Sequence, residues 1–352
     1  MTSARLCKIR TAAAVAVAAL AAGLAAIGPA EAQSAEEFYK GKTIELVIGY
    51  SPGGGYDTYA RLIARHLGNH IPNKPSIVPK NMPGAGSRAA AQYVYNVAPK
   101  DGTVLATVDQ SMAVQQAMGD PSIMFDTNKF IYIGNPASEN NTIVTWHTSG
   151  IKTIEDARKQ EVPMGSTGSN TSSQYVLALN ALAGTKFKVI AGYPGGNDIN
   201  LAMEKGEVAG RGSNSWGSWK ATRPQWLAEK KINILAQVGL KKTADLPDVP
   251  LLMDLVSNDE DKAAMRLLSS PTTIGRPIFT TPGVPEERVK VLRAAFDRMI
   301  KDPAFLEEAK KLKLDIDPVS GEELQRIVAE IVATPKPIAE RLLKAIGGFE
   351  KP

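Results

Sequence analysis

The chain has 352 residues, 43% of them hydrophobic and 22% charged, with a formal net charge of +5. That length is enough for two domains of ordinary size. The small positive excess favours anionic ligands only by weak steering and is no footprint for nucleic acid.

At the start, Arg5, Lys8 and Arg10 precede an alanine-rich apolar stretch from Thr11 to Gly28, which gives way to Pro29 and the small-x-small pattern Ala30-Glu31-Ala32. This predicts a secretory signal peptide over residues 1–32, cleaved near Gln33, and export of the mature chain. A membrane anchor needs roughly twenty or more strongly apolar residues, and this stretch is shorter and mostly alanine. Cleavage removes Cys7, the single cysteine, so no disulfide, thiolate nucleophile or sulfur-ligated metal is expected. The leader's Arg5, Lys8 and Arg10 against Glu31 bring the charge down to about +3.

Short β-rich runs then alternate with helical patterns. TIELVIGY (43–50), TVLATVDQ (103–110), FIYIG (130–134), NTIVTWH (141–147), FKVIAGY (187–193) and INILAQVGL (232–240) are separated by segments with apolar residues three and four apart. That order predicts an α/β fold. The C-terminal part reads as mostly helix: Val289, Leu292, Phe296 and Met299 share one face, and Ser320-x-x-Glu323 has capping-box spacing.

The first β-run leads into Pro52-Gly53-Gly54-Gly55-Tyr56-Asp57 and a helix whose buried stripe is Ala60, Ile63 and Leu67. The first N–H groups of a helix lack internal partners and sit at the positive end of its dipole, so a glycine-lined approach suits an anion. Lys-Ser/Thr does not follow the glycines, which excludes a phosphate loop, and the G-x-G-x-x-G spacing of a dinucleotide fingerprint is missing. The arrangement recurs at Pro83-Gly84-Ala85-Gly86-Ser87 and again at Gly165-Ser166-Thr167-Gly168-Ser169-Asn170-Thr171. Three such turns converging on one anion would bind it, and hydroxyls without an adjacent base imply binding and not turnover.

YSPGGGYDTYARLIARHL, NMPGAGS, GSTGSNTSS, YPGGNDINLAMEKGEV, LPDVPLLMD, TPGVPEERVKVLRAAF and DPAFLEEAKKLKLDIDPVSGEEL occur in order along nearly the whole mature chain. Together they resemble the Bug family, the solute-binding receptors (TctC-like) of tripartite tricarboxylate transporters. The resemblance implies a type II periplasmic binding protein: two α/β lobes joined by a two-crossover hinge, with the ligand cleft between them. It implies a first lobe of residues 33–137 plus 277–352, the latter mainly helical, and a second lobe of residues 138–276. It carries over four ligand loops: Pro52, Gly53, Gly54, Gly55, Tyr56 and Asp57; Gly84, Ala85, Gly86 and Ser87; Ser166, Thr167, Ser169 and Thr171; and Tyr193, Gly195 and Asp198. The ligand would be a mono-, di- or tricarboxylate delivered to a membrane permease by a monomer, with no cofactor, no metal and no catalysis.

The alternatives are a sensory receptor presenting the solute to a signalling kinase, and a secreted enzyme using the same cleft. Gly206-Glu207-Val208 departs from the family pattern by running into Ala209-Gly210-Arg211 where many relatives have an acid. Arg88 and Arg211 are read as solvated surface residues, with a second ligand carboxylate as the alternative. His66 and His70 have i, i+4 spacing, but no glutamate in the His-Glu-x-x-His manner lies between them. Trp216, Trp219 and Trp226 are read as packing residues, with stacking on a planar ligand as the alternative.

Overall fold

The computed structural model describes residues 34–348; the expected signal peptide and its cleavage point near Gln33 lie outside the described residues. The first stretch contains α1 (Ala35–Phe38), β1 (Thr43–Ile48), α2 (Gly55–His66), β2 (Ser76–Asn81), α3 (Arg88–Asn96), β3 (Val104–Thr107), α4 (Met112–Ala117) and β4 (Ile131–Asn135). The middle stretch contains β5 (Asn141–Trp146), α5 (Ile154–Lys159), β6 (Val162–Gly165), α6 (Thr171–Ala183), β7 (Phe187–Ile190), α7 (Gly196–Glu204), β8 (Gly210–Ser215), α8 (Trp216–Thr222), α9 (Pro224–Ala228), β9 (Ile232–Val238) and α10 (Asp259–Ser269). The chain ends with β10 (Ile278–Thr280), α11 (Glu286–Met299), α12 (Pro303–Lys311), β11 (Val319–Ser320), α13 (Gly321–Val332) and α14 (Lys336–Ala345).

Two sheets result. One has the order β11-β4-β10-β3-β1-β2 and the other β7-β6-β8-β5-β9. The chain leaves the first sheet after β4 and returns to it at β10, which makes two crossings. In each sheet a parallel trio, β2-β1-β3 or β7-β6-β8, continues into antiparallel strands. Parallel strands need long crossovers, and their helices cover the faces of the sheet.

Strand β1 shows how the sequence produces this layering. Ile44, Leu46, Val47 and Ile48 are all fully buried. Because side chains alternate across a strand, Ile44, Leu46 and Ile48 join one cluster with Leu62 and Ile63 of α2 and Phe296 of α11, while Val47 joins another with Ala90, Ala91 and Val94 of α3. Each such aliphatic side chain contributes about 1.5–3 kcal/mol by leaving water. The predicted stripe of α2 is buried at Ala60, Ile63 and the following Leu67, and the predicted face of α11 is buried at Val289, Leu292, Phe296 and Met299. At the end of the chain α13 packs on β4 and α4, whereas α14 packs on α10 and α6 beside the second sheet.

Every β-run read from sequence is a strand. The strand that hydrophobicity does not reveal is β8, whose residues read GRGSNS although it is central in its sheet.

Candidate functional site

In open α/β sheets, ligands bind beyond the carboxyl ends of the strands, where successive connections leave on opposite sides. Here the ends of β1 and β3 in one sheet face those of β6 and β8 in the other, and between them lies a cavity of about 60 Å³. The two halves touch around it. Ser51 N–H donates to the Pro194 carbonyl at 3.2 Å and Ser51 Oγ to Asp198 Oδ2 at 2.6 Å. On the other side Thr171 Oγ1 donates to Asp109 Oδ2 at 3.0 Å and Gln110 Nε2 to the Tyr175 hydroxyl at 3.3 Å. This is a closed arrangement.

Three helix N-termini open into the cavity: Gly54 and Gly55 of α2, Asn170 and Thr171 of α6, and Gly196 of α7. Glycine at these turns permits close approach. A side chain at 195 would collide with Ser51 of the opposite half, and a Cβ at 196 would lie 2.5 Å from Arg211 Nη2.

Asp109 supplies the one carboxylate of the lining. Its Oδ2 accepts from the Tyr50 hydroxyl at 2.6 Å as well as from Thr171, and its Oδ1 accepts from Ser111 N–H at 2.9 Å and Ser111 Oγ at 2.6 Å. Burial first, and then this carboxylate, pushes the Tyr50 and Tyr56 phenols well above the ordinary tyrosine range, so both remain neutral donors.

Two buried guanidiniums also line the cavity. Arg276 bonds to Ser218 Oγ at 2.7 Å and to Ser215 Oγ, lies 3.8 Å from Glu139 Oε1, and stacks 4.4 Å from the Tyr59 ring centroid and 5.3 Å from that of Tyr56. Burial works against its charge, but Glu139 and the two phenols outweigh that and hold its pKa above the usual value. Arg211 is only 7% exposed. It donates from Nε to the Ser213 carbonyl at 3.0 Å and from Nη1 to the Gly196 carbonyl at 3.1 Å and Asn200 Oδ1 at 3.0 Å, over the Trp219 ring. No carboxylate among the described residues pairs with it, and burial pushes its pKa down to about 9.

Of the residues expected at the site, Gly54, Gly55, Tyr56, Thr167 and Thr171 line the cavity. Pro52 and Gly53 are exposed beside it. Asp57 faces away from the cavity: it accepts from Gly53 N–H at 2.9 Å, Arg61 Nε at 2.9 Å and Asn81 Nδ2 at 2.9 Å. Burial would raise its pKa, yet these bonds together hold it below the ordinary carboxylate value. Ser166 is fully buried and turned into its own loop, sharing a 2.8 Å bond with Ser172 Oγ. Ser169 and Tyr193 are half-buried outside the lining, while Gly195 and Asp198 lie against Ser51.

The second loop is not in the lining. Gly84 and Ala85 are exposed, Gly86 packs beneath Asn170, and Ser87 Oγ accepts from Asp109 N–H at 2.8 Å. This loop follows the edge strand β2, one strand away from the point where the connections diverge, so it supports the cavity wall from behind.

Two surface assignments are corrected. Arg88 has a side chain only 15% exposed and bridges Asp120 Oδ2 at 3.0 Å to the Ala85 carbonyl at 3.1 Å. Arg211 is in the cavity. Trp219 is fully buried with Nε1 on Thr142 Oγ1 at 2.9 Å, and Trp226 is buried beside it, as packing residues are. His66 and His70 face Glu308 at 2.6 Å and Asp302 at 3.0 Å.

Sequence reasoning missed Asp109 and Gln110, Arg276, and the β8 residues Ser213, Asn214 and Ser215. The polar pair ending the apolar run TVLATVDQ was a usable signal for the first. Arg276, between Gly275 and Pro277, offered none.

The family model described as the tripartite tricarboxylate transporter family receptor (TctC) matches residues 60–343. The chain belongs to this family. The receptor is 30% identical over 339 residues, 93% of its own length and 95% of the other's, to the UPF0065 protein in the gbd 5′ region of Cupriavidus necator. Its fold is similar to that of the periplasmic binding protein BugD, at a TM-score of 0.71 and 19% identity, covering 89% of this chain and 100% of that one. It is also similar in fold to MatC from Rhodopseudomonas palustris with bound malate, at a TM-score of 0.67 and 19% identity, covering 85% and 99%. The receptor thus has the two-sheet α/β fold of Bug-type periplasmic binding proteins.

Proposed function

We propose that this receptor captures a small mono-, di- or tricarboxylate between two lobes in the periplasm and delivers it to the membrane permease of a tripartite tricarboxylate-type transporter. The observation that carries the reading is the convergence of three helix N-termini from opposite halves on one cavity with buried positive charge. Unpaired amides at helix starts stabilise a carboxylate without transferring a proton to it. A volume of about 60 Å³ limits the solute to a small molecule, being far below the roughly 300–1,000 Å³ of pockets for drug-sized ligands. Malate, named for one structural neighbour, is an acid of that class.

The lobes are residues 33–137 with 277–352, and residues 138–276, with the last helix of the first lobe, α14, reaching across to pack on α10 and α6 of the second. A ligand held from both sides favours the closed form, which is the form a permease would read across both lobes. No chemical step is required of the receptor.

A thermal-shift screen of the mature chain against carboxylic acids, with neutral sugars and amines as controls, tests this. A true ligand at about a hundred times its dissociation constant adds about 2.7 kcal/mol of stability. A panel in which no acid shifts the melting point, or in which a neutral solute does, would remove the reading.

A further inference from the structure

The geometry points to Arg211 as the residue that selects a solute with a second carboxylate. This rests on the carboxylate-binding reading above and goes beyond it by naming the discriminating side chain. A guanidinium has five N–H donors in a rigid plane. Three are used inside the protein, by the Ser213 and Gly196 carbonyls and Asn200 Oδ1, all of them neutral acceptors. The two hydrogens on Nη2 have no acceptor among the described residues, and the residue lines the cavity. The group is fixed in orientation by Trp219 beneath it, at 5.3 Å from ring centroid to guanidinium carbon. Gly196 leaves the space that Nη2 occupies.

The other two charged groups of the lining are held within the fold. Asp109 is saturated by Tyr50, Thr171 and Ser111, and Arg276 has Glu139 beside it. One carboxylate of the solute is served by the helix N-termini. Arg211 remains a buried positive charge with no acid of its own, and an unpaired buried charge is costly until a partner arrives. A second carboxylate on the solute supplies that partner, whereas a methyl group in the same place leaves the guanidinium desolvated and unpaired. Removing one member of such a charge pair in a binding site costs on the order of 100-fold in affinity.

The test is isothermal titration of the mature receptor with three pairs of acids matched in carbon number: malonate and propionate, succinate and butyrate, glutarate and valerate. The expected result is a diacid preference of about 100-fold in the best-fitting pair, which falls to near unity in Arg211→Met. Arg211→Lys, which keeps the charge but loses the fork, should retain part of the preference, and Gly196→Ala should reduce it by displacing Nη2. Melting curves establish that each variant is folded. Monoacids binding as tightly as their diacid partners, or Arg211→Met keeping the preference, would overturn the role of Arg211 while leaving carboxylate capture intact. Failure of every acid in the pairs and in the wider screen would overturn both.

Discussion

Arg276 and Arg211 are both buried in the wall of one cavity, yet their surroundings are opposite. Arg276 meets Glu139 and two tyrosine rings and ties to Ser215 and Ser218, on the strand end and helix of the second sheet. Arg211 meets only neutral oxygens and a tryptophan face. Burial alone therefore does not assign a role to a charged side chain. A guanidinium whose charge is answered within the fold holds the halves in place, and one left unanswered is available to the solute.

The most direct way to break this contrast is Arg276→Met, which leaves Glu139 buried without its cation; unfolding stability by urea denaturation should fall by about 3–5 kcal/mol. If it falls no further than in Arg211→Met, the distinction between the two groups is lost. On the same supporting side, Ser87→Ala takes away the acceptor of the buried Asp109 N–H and should cost about 1–3 kcal/mol in the same assay. Ser51→Ala removes a 2.6 Å hydroxyl–carboxylate bond that exists only while the halves touch, so ligand affinity by titration should weaken roughly tenfold with little change in the unliganded melting point.

A smaller effect concerns pH. Asp57 has its folded pKa held below the ordinary value by Arg61, Gly53 and Asn81 against the opposing influence of burial. Its contribution is therefore complete above its unfolded pKa of about 4 and is lost as pH falls through the lower folded value. Asp57→Asn should narrow the stability difference between pH 7 and acid conditions below that value; an unchanged difference would show that the carboxylate is not paired. The smallest change sharpens the comparison from the other side: Arg211→Met should leave unliganded stability within about 1 kcal/mol of the native receptor, because the lost bonds are offset by relief of an unpaired charge.

Much of the architecture was readable along the chain. TIELVI reads as a strand because it is a short β-rich apolar run, and Ala60, Ile63 and Leu67 read as a helix stripe because of their spacing. The turns at Gly54–Tyr56 and at Thr167–Thr171 read as anion sites because each precedes a helix. The Gly84–Ser87 turn has the same local appearance, but it follows an edge strand and is placed behind the wall. Strand β8 was invisible, since small polar residues carry no hydrophobic period even where a central strand uses them to face a cavity.

The sequence by itself determined which segments become strands, helices and helix starts, since periodicity, capping residues and glycine turns act within a few residues of one another. Only the tertiary structure decided which of those helix starts face each other and which charged side chains find partners. Asp109, Arg211 and Arg276 come from three separate stretches of the chain and are brought to one cavity by the two crossings between the sheets. The energy of a charge is set by the charges and solvent around it, and those neighbours are fixed by packing and not by spacing along the chain.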